Sequence, residues 1–419
     1  MKRVLLLSTT TGYQLRAFNS AAERLGIDLV FATDRCHQLE DPWRDRAFAV
    51  RFHEEWRSLD AILTEAKRAP LDGVLAVGDR PAVLAARVAE RLNLPGNPPD
   101  AAAASGNKRE TRARFATAKL PGPWFFTMGL RDDARAATEH GRLQFPCVLK
   151  PLGLSGSRGV IRADTPAEFV AAFERIRALL SRLDVRASRT GLEDVVLVEG
   201  FIPGREFAVE GVLTNGALQV FAIFDKPDPL DGPYFEETIY VTPSSLGALS
   251  QVRLMSAIQD ATDALGLYHG PVHAECRVDS DGIFVLEVAA RPIGGLCSRV
   301  LTFDDRSTLE EVLLRHAVGE DVSSWVQDPR GSAVMMIPIP RRGQLKRYQG
   351  ETAARDVPFV EEILITAKPD QMLEQLPEAG SYLGFIFARA DYAPDAERAV
   401  REAHRRLTFD IAEPIRLAH

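Results

Sequence analysis

The chain has 419 residues, too many for one ordinary hydrophobic core, so the sequence predicts two to four domains. Its hydrophobic content of 46% and charged content of 26% are typical of a soluble globular protein. A net charge of −7 argues against nucleic acid or an anionic membrane surface as the main partner. No apolar run approaches the ~20 residues that cross a bilayer, so no membrane-spanning segment is predicted.

The first residues, MKRVLLLSTTTG, contain only a short apolar run and predict a buried strand rather than a signal peptide. The four cysteines, Cys36, Cys147, Cys276 and Cys297, lack the spacing of a metal or redox site, and three of the four lie in or beside apolar runs. These features predict free thiols in a reducing, cytoplasmic environment.

Residues 1–106 alternate between strand and helix patterns. Strands are predicted at 3–8, 28–32 and 73–77, and helices at 15–25, 59–67 and from a cap at Asp79 to residue 92. Strands separated by helices predict a parallel, doubly wound sheet. The first turn, residues 9–12, reads TTTG and not GxGxxG, so a dinucleotide site is not predicted.

A Pro/Ala-rich linker is predicted at residues 97–105. Asn107 and Glu110 then have the spacing of a capping box, which places Lys108 in the first turn of a helix. The helix dipole disfavours a cation there. Lys108 is therefore either a surface lysine without a functional role or a residue with an anion nearby.

A buried strand at 145–150 ends in Lys150 and is followed by a loop, residues 153–160, with three glycines and two serines. Such a loop lets backbone N–H groups approach an anion closely, and Arg158 adds positive charge. A flexible loop without a ligand is the alternative, but Lys150 just before it favours phosphate.

The next elements are a helix at 168–183, a strand at 194–199 and a connector, GFIPGRE. Residues 206–213 and 217–224 predict a hairpin through Asn215-Gly216, a type I′ turn. A long loop is predicted at 225–243, and long loops in compact domains are usually functional or disordered. A helix follows at 250–265.

Two strand-like runs, 272–278 and 283–290, flank Ser280-Asp281-Gly282, and each carries one carboxylate, Glu275 and Glu287. With a three-residue loop the carboxylates lie opposite each other; with a two-residue loop they lie on opposite faces. Because facing carboxylates repel unless a cation lies between them, the first register predicts a divalent-metal site and the second a solvated hairpin.

Beyond Arg291 the sequence predicts a turn at 292–295 and a helix at 308–317. From about residue 332, strands near 335–340, 362–367 and 384–390 and a helix at 394–407 predict a small α+β domain.

Taken in this order, these motifs resemble those of the ATP-grasp superfamily, most closely its L-amino-acid ligases, with biotin carboxylases and glycinamide ribonucleotide enzymes as more distant relatives. The resemblance covers roughly residues 104–318. It implies an α/β and α+β multidomain protein with an ATP-grasp fold. The implied parts are a doubly wound pre-ATP-grasp domain (1–106), an ATP-grasp domain (107–320, with a lid at about 120–190 and a larger catalytic part at about 191–320) and a C-terminal α+β domain (321–419).

The resemblance also implies roles for individual residues. Lys108 and Lys150 match the lysines that contact the α- and β-phosphates of ATP, and Ser155, Gly156, Ser157 and Gly159 match the loop over the γ-phosphate. Glu199, Phe201 and Ile202 match the adenine-binding hinge, and Glu206 the carboxylate that binds the ribose. Glu275 and Glu287 match the ligands of Mg²⁺, for which Mn²⁺ is an alternative, and Arg291 matches the arginine that steadies the acyl phosphate.

One position departs from the family pattern. The family usually has a further metal ligand, Asn, two residues after the second glutamate, where this chain has Ala289. In the preferred register Ala289 faces His273, which is either a substitute ligand or, as we favour, a strand histidine with its hydrogen bonds satisfied.

Substrate contacts are expected from the long loop, where Lys226, Glu237 and Tyr240 suit the carboxylate and amine of an amino acid, and from Arg299 beyond the Gly-Gly turn. Solvated charges are the alternative for the loop residues.

The predicted function is an ATP-dependent carboxylate–amine ligase that joins a small carboxylate or amino acid to an amine and releases ADP and phosphate. A biotin-carboxylase-like enzyme that activates bicarbonate is the first alternative, although no biotinyl-carrier motif is present. A nucleotide-binding protein without catalysis is the second, suggested by Ala289. A homodimer is the expected oligomeric state.

Overall fold

The computed structural model describes residues 1–9, 14–34, 48–139, 141 and 143–413. Its N-terminal elements are, in chain order, β1 (Arg3–Ser8), α1 (Leu15–Leu25), β2 (Asp28–Thr33), β3 (Phe48–Ala49), α2 (Glu55–Arg68), β4 (Gly73–Val77) and α3 (Asp79–Leu92). The four strands form a parallel sheet in the order β3-β2-β1-β4. The turn at residues 10–12 and Cys36 lie outside the described residues.

Alternation along β1 explains why this sheet has helices on both faces. Val4 and Leu6 pack into the core that contains Phe18 of α1, whereas Leu5 and Leu7 pack into the core of α2 and α3. Because successive strand residues point to opposite faces, an uninterrupted apolar run buries both sides of a parallel sheet. The predicted doubly wound sheet is therefore confirmed.

The predicted linker at 97–105 is wrong for most of its length, since α4 (Pro99–Ser105) is helical. Proline at the first position and four successive alanines favour a helix, which outweighs the usual meaning of Pro/Ala-rich composition. The following helix, α5 (Lys108–Thr117), begins as predicted, because the Asn107 side chain accepts hydrogen bonds from the N–H groups of Arg109 and Glu110. Lys108 is thereby fixed in the first turn.

A second four-stranded sheet is antiparallel. Its elements are β5 (Phe125–Gly129), α6 (Ala134–Glu139), β6 (Cys147–Pro151), β7 (Ile161–Ala163), α7 (Pro166–Leu180), α8 (Leu183–Arg186) and β8 (Val195–Gly200). The strand order is β5-β8-β6-β7, and α7 packs on one face through Phe169 and Phe173, which are fully buried. We call this part the lid; it carries Lys150 near the end of β6.

The central elements are β9 (Arg205–Thr214), β10 (Ala217–Asp225), β11 (Ile239–Thr242), α9 (Ala248–Leu265), β12 (Gly270–Val278), β13 (Ile283–Ala289) and α10 (Leu309–Ala317). Thr214 pairs with Ala217 across Asn215-Gly216, and both turn residues have positive φ, as a type I′ turn requires. The predicted long loop is shorter than expected, because β11 occupies its end.

The C-terminal elements are β14 (Gly331–Ile337), β15 (Gly343–Gln349), α11 (Glu351–Arg355), β16 (Val360–Ile365), β17 (Met372–Leu373), β18 (Gly384–Ala390), α12 (Ala393–Arg406) and β19 (Thr408–Ala412). Three of these strands continue the central sheet, whose order is β13-β12-β9-β10-β11-β14-β18-β16; β17, β15 and β19 form a separate small sheet. The sheet thus crosses the predicted boundary at residue 321, which stays a prediction.

None of the helices in the described ranges is both long and apolar enough to cross a membrane.

Candidate active site

A cleft of about 470 Å³ lies where the N-terminal sheet, α5, the lid, the central sheet and the C-terminal strands meet. Most of the predicted site residues line it: Lys108, Lys150, Ser155, Gly156, Ser157, Glu199, Phe201, Ile202, Glu206, Glu237, Tyr240, Glu275, Glu287 and Arg291. The fold therefore gathers, in one cavity, side chains that are spread over about 180 residues of sequence.

The two hairpin carboxylates lie opposite each other, because Glu275 pairs with Glu287 in the antiparallel register of β12 and β13. The predicted three-residue loop is wrong, since Val278 pairs with Ile283 and leaves four residues in the turn. A β-bulge at Leu286 adds one residue to β13 and restores the facing register. The predicted facing arrangement is therefore present, but it results from a four-residue turn and a bulge instead of a three-residue loop.

Glu287 faces the start of α5. The Lys108 ammonium lies 3.7 Å from Glu287 Oε2 and donates a hydrogen bond of 2.8 Å to the Leu154 carbonyl in the glycine-rich loop. A cation in the first turn of a helix is thus compensated by a carboxylate and a carbonyl dipole. Lys108 therefore links the carboxylate pair to the glycine-rich loop.

Lys226 is buried among three carboxylates. Its ammonium lies 2.8 Å from Glu206, 2.5 Å from Glu237 and 3.0 Å from Glu275. These three glutamates have carboxylate oxygens within 4.8 Å of one another, close enough to hold a metal ion, but here the lysine bridges them. The predicted contact between Lys226 and substrate is not supported, because the ammonium already has three partners and does not line the cleft.

The carboxylates around Lys226 differ in the direction of their pKa shifts. Burial would raise the pKa of Glu275, but Lys226 and His273 outweigh it and hold this pKa well below its usual range. Burial raises the pKa of Glu237 to about 7, with Lys226 opposing the shift and Glu275 adding to it. Of Glu275 and Glu237, Glu275 is therefore the one that is ionised at neutral pH, as a metal ligand must be.

His273 lies opposite Ala289, as predicted, and its Nδ1 is 3.1 Å from Glu210 Oε2, a fully buried carboxylate. Its Nε2 lies 3.8 Å from Glu275 Oε1. Burial would lower the pKa of His273, but the two carboxylates raise it to about 9. A protonated imidazole donates hydrogen bonds and cannot ligate a metal, which favours a positioning role for His273.

Lys150 is held by a buried ion pair at the base of the lid. Its ammonium lies 2.5 Å from Glu199 Oε1, and Arg112 Nε lies 2.7 Å from Glu199 Oε2. Burial would raise the pKa of Glu199, but the two cations outweigh it and lower the pKa to about 2. Glu199 therefore uses its side chain to position Lys150, and only its backbone groups remain for a ligand.

The hinge after β8 is fixed by Arg277, whose side chain is almost fully buried. It donates to Glu206 Oε2 at 3.0 Å and to the Ile202 carbonyl at 2.6 Å, and its guanidinium lies 5.0 Å from the centre of the Phe201 ring. On the lid, Arg162 lies 4.2 Å from the same ring. These contacts hold the hinge and Glu206 in one rigid unit.

The glycine-rich loop contacts the C-terminal part of the chain. Gly159 donates its N–H to the Pro377 carbonyl at 2.9 Å, and Arg158 Nε donates to the Glu378 carbonyl at 2.7 Å. Gly159 itself does not line the cleft: its φ is +77°, and a Cβ there would lie 2.5 Å from Pro151 Cγ. Its role in the structure is to let the loop turn beside Pro151.

Two ion pairs extend this contact. Arg175 binds Glu378 through two nitrogens at 2.6 and 2.8 Å, and Arg182 binds Glu374 at 2.8 Å. We call residues 374–382 the latch segment, because it joins the lid to the C-terminal strands on one side of the cleft.

Arg291 forms an ion pair with Asp79, at the start of α3, at 2.7 Å. Burial would lower the pKa of Arg291, but Asp79 outweighs it and raises this pKa; in turn, Arg291 lowers the pKa of Asp79 against the effect of burial. The predicted cap is wrong, since Gly78 occupies the N-cap position and the Asp79 side chain instead binds Arg291.

Arg299 is not brought to the site. It is exposed, does not line the cleft and pairs with Glu362 at 2.6 Å. Its predicted role as a substrate anchor is therefore without structural support, because its charge is already engaged on the outer surface.

The lining residues that sequence reasoning missed include Asp79, Arg112 and Tyr382. Asp79 follows the carboxyl end of a parallel strand, where ligand sites of such sheets lie, and this signal was available. Arg112 stands four residues after Lys108, on the same helix face, a weaker signal. Tyr382 offered none, because nothing local relates the C-terminal strands to the cleft.

Three family models match the chain: an ATP-grasp N-terminal domain over residues 18–96, an ATP-grasp domain over 143–300 and an L-amino acid ligase C-terminal domain over 335–412. The chain belongs to the ATP-grasp superfamily. The third match and the structural comparison below agree with the predicted similarity to the L-amino acid ligases.

The crystal structure of an L-amino acid ligase from Bacillus licheniformis matches with a TM-score of 0.83 and 25% identity, covering 99% of both chains. An ATP-grasp enzyme, fsqD, from Aspergillus fumigatus is 29% identical over 64% of this chain and 46% of its own. Alanine–anticapsin ligase from Bacillus subtilis is 27% identical over 46% of this chain and 42% of its own. The chain thus matches somewhat less than half the length of these last two relatives.

Proposed function

We propose that this protein is an ATP-dependent carboxylate–amine ligase that forms an amide or peptide bond through an acyl phosphate. The observation that carries the proposal is the convergence of two lysines, a facing pair of carboxylates, a glycine-rich loop and a mostly buried arginine in one cleft. Phosphoryl transfer depends on positioning and charge neutralisation, which such a set of side chains provides.

In the proposed complex the nucleotide lies along the lid side of the cleft. The backbone of the hinge at Phe201 and Ile202 takes adenine, and Glu206 takes the ribose hydroxyls. Lys108 and Lys150 neutralise the phosphates, and Ser155, Gly156 and Ser157 cover the terminal phosphate. These roles are supported by the position of each residue on the cleft wall and by the fixed orientation of the hinge.

Glu275 and Glu287 fit a Mg²⁺ ion, because two carboxylates on paired strands supply the hard oxygen ligands that this ion prefers. When bound, the ion neutralises phosphate charge during transfer. Ala289 offers no ligand atom and His273 is engaged by Glu210, so the protein supplies two carboxylates and leaves the remaining positions to phosphate and water. Mn²⁺ has the same preference for oxygen and is expected to substitute.

The reaction has two steps. First, an oxygen of the substrate carboxylate attacks the γ-phosphorus of ATP; the new O–P bond forms as the bond to the ADP oxygen breaks. Then the amine nitrogen attacks the acyl carbon; a C–N bond forms, the C–O bond breaks, phosphate leaves and the amine loses a proton. Arg291, held by Asp79, stabilises the negative oxygens of the acyl phosphate.

The experiment that tests this proposal measures phosphate release from ATP with a panel of carboxylates and amines, with product identification by mass spectrometry. The expected result is phosphate release that requires both a carboxylate and an amine and is matched by amide product. Bicarbonate-dependent, amine-independent turnover would support a biotin-carboxylase-like activity instead. Binding of Mg-ATP, seen as a raised melting temperature, without turnover of any pair would support a non-catalytic protein.

The latch segment leads to a prediction about water exclusion. Replacing Glu378 with Gln removes the two-nitrogen ion pair with Arg175, so the lid should close less completely over ATP. A partly exposed pair of this kind contributes up to ~1 kcal/mol, so we expect a rise of about 3- to 5-fold in the KM for ATP. Water should also reach the acyl phosphate, raising the ratio of phosphate released to amide formed.

Glu362→Gln is the matched control, because it breaks a similar arginine–glutamate pair, with Arg299, outside the cleft wall. It should change neither quantity. The exchange Arg175→Glu with Glu378→Arg should restore part of the coupling. Equal behaviour of the two single variants would show that the latch does not act on closure.

A further inference from the structure

Glu210, on β9, is fully buried and contacts residues that line the cleft, although it does not line the cleft itself. Burying a carboxylate is costly unless its oxygens have hydrogen-bond partners, so those partners show what it holds in place. Within the described residues they are the His273 imidazole, across from Glu210 on β12, and the backbone N–H of Ile293. The second contact connects Glu210 to the turn that follows Arg291.

The Ile293 N–H lies between the two carboxylate oxygens. It donates to Oε1 and to Oε2 of Glu210 at 3.1 Å each, so the peptide between Pro292 and Ile293 is tied to β9. This peptide bond is trans and planar, so its carbonyl points away from its N–H. By binding the N–H, Glu210 therefore also sets the direction of the Pro292 carbonyl.

The Pro292 carbonyl accepts a hydrogen bond from Arg291. The Nη1 of this arginine donates to the carbonyl at 3.1 Å, and its Nε donates to Asp79 at 2.7 Å. A guanidinium is planar and rigid, so contacts at two different nitrogens fix both its position and its orientation. Asp79 supplies one of these contacts, and the carbonyl whose direction Glu210 sets supplies the other.

The next carbonyl of the turn is held from the N-terminal part of the chain. Gln14, the residue just before α1, has a buried side chain whose Nε2 donates to the Ile293 carbonyl. The turn at residues 292–295 and Gln14 both line the cleft. The turn is thus bound by β9 on one side and by the N-terminal part on the other, and any shift of it breaks a buried hydrogen bond.

We infer that Glu210 is a positioning residue for Arg291, acting through the peptide between Pro292 and Ile293, and that Gln14 supports the same turn. The inference rests on the proposed ligase function, in which Arg291 stabilises the acyl phosphate. It adds how the guanidinium is oriented for that task. Misplacing a catalytic group by about 1 Å costs on the order of 100-fold in rate, so the orientation of Arg291 affects kcat directly.

Glu210→Gln tests the inference, because it keeps the side-chain volume and one acceptor oxygen but removes the other acceptor. We expect kcat for amide formation to fall about 10-fold, since Arg291 stays present but is less well aligned, with the KM for ATP unchanged within about 2-fold. Glu311→Gln is the matched control. Glu311 is also buried, accepts the Thr308 N–H at 2.7 Å and pairs with a cation, Arg24, but does not line or adjoin the cleft. It should leave kcat unchanged, whatever its effect on the melting temperature.

A double variant identifies the route by which Glu210 acts. In the Arg291→Gln background, Glu210→Gln should add no further loss of kcat, because the group that it orients is gone. Glu210 has another route to the cleft through His273, whose Nε2 lies 3.8 Å from Glu275. Action by that route would multiply the two losses and would shift the Mg²⁺ concentration that gives half-maximal rate.

Gln14→Met tests the other side of the turn without changing a buried charge. It keeps the length of the side chain but leaves the Ile293 carbonyl without its donor, so kcat should fall about 3-fold with an unchanged KM for ATP. Gln251→Met is the matched control, because Gln251 also donates through Nε2 to a backbone carbonyl, that of Leu246 at 2.7 Å, and does not line the cleft.

The outcomes distinguish this inference from the proposed function. If the unmodified protein forms no amide from any carboxylate and amine, the ligase proposal fails, and the inference fails with it. If Arg291→Gln is impaired but Glu210→Gln behaves like Glu311→Gln, or keeps its full loss in the Arg291→Gln background, the ligase stands and the inference is overturned. If Glu210→Gln does not fold, Gln14→Met decides, and a normal kcat in that variant overturns the inference.

Discussion

Replacing Glu287 with Gln should lower ATP-dependent amide formation at least ~100-fold, the size of effect found when a group that stabilises transferring charge is removed. The variant keeps the size of the side chain but loses one of two carboxylates that face each other across the hairpin. The fold should persist, because Glu287 is partly exposed and its ammonium partner, Lys108, lies 3.7 Å away and also binds Leu154. Steady-state kinetics at several Mg²⁺ concentrations measure the effect.

Glu287 is a cleaner position for this test than Glu275, which also binds Lys226. Asp281→Asn is the matched control, because it removes one carboxylate charge from the exposed turn of the same hairpin. The control should retain near-normal turnover and the same dependence on Mg²⁺. Near-normal turnover of Glu287→Gln would refute the metal assignment, and a shifted melting temperature in that variant alone would indicate a structural role.

The second large effect is expected at Arg291. Replacing it with Gln should reduce turnover about 100- to 1,000-fold, because the acyl phosphate loses a charged donor. Asp79 touches Arg291 but is assigned no contact with substrate, so Asp79→Asn should cost only about 10-fold through imprecise positioning of the guanidinium.

The double variant separates these roles. If Asp79 acts through Arg291, then Asp79→Asn adds no further loss to Arg291→Gln, a departure from additivity expected of residues in direct contact. Stability should behave differently: Arg291→Gln leaves the partly buried Asp79 carboxylate without its ion-pair partner, and the second change removes that cost. A double variant whose losses multiply, or an Arg291→Gln variant with near-normal kcat, would contradict the assignment. Thermal melts and single-turnover rates supply both measurements.

Local patterns in the sequence predicted many of the elements. Asn107 caps its helix, Asn215-Gly216 forms the type I′ turn, and Lys150 lies near the end of a buried strand as expected. Each depends on residues a few positions apart, whose chemistry restricts the backbone directly. The errors arose where a local signal has two meanings, as in the Pro/Ala-rich stretch that forms α4 and the aspartate that follows Gly78.

The facing carboxylates, Glu275 and Glu287, illustrate both what the local sequence indicates and what only packing in the folded chain decides. The hairpin by itself allowed two registers, and only the motifs elsewhere in the chain favoured the one in which Glu275 faces Glu287, because hairpin loop length alone does not determine register beyond the turn. The structure has the facing register with a four-residue turn, compensated by a bulge at Leu286. A bulge depends on packing against neighbouring strands, in this case β9 beside β12, and has no reliable local signature.

By itself, the sequence determined many of the elements, the doubly wound first sheet and the set of charged residues proposed to bind ATP. The tertiary structure decided which charges neutralise which. Asp79 meets Arg291 across 212 positions, and Lys226 binds Glu275 across 49. In the tertiary structure the central sheet also continues past residue 321, so that C-terminal side chains reach the cleft. Local propensity acts between near neighbours in the chain, whereas burial and ion pairing act between neighbours in space, and only the folded chain defines the latter.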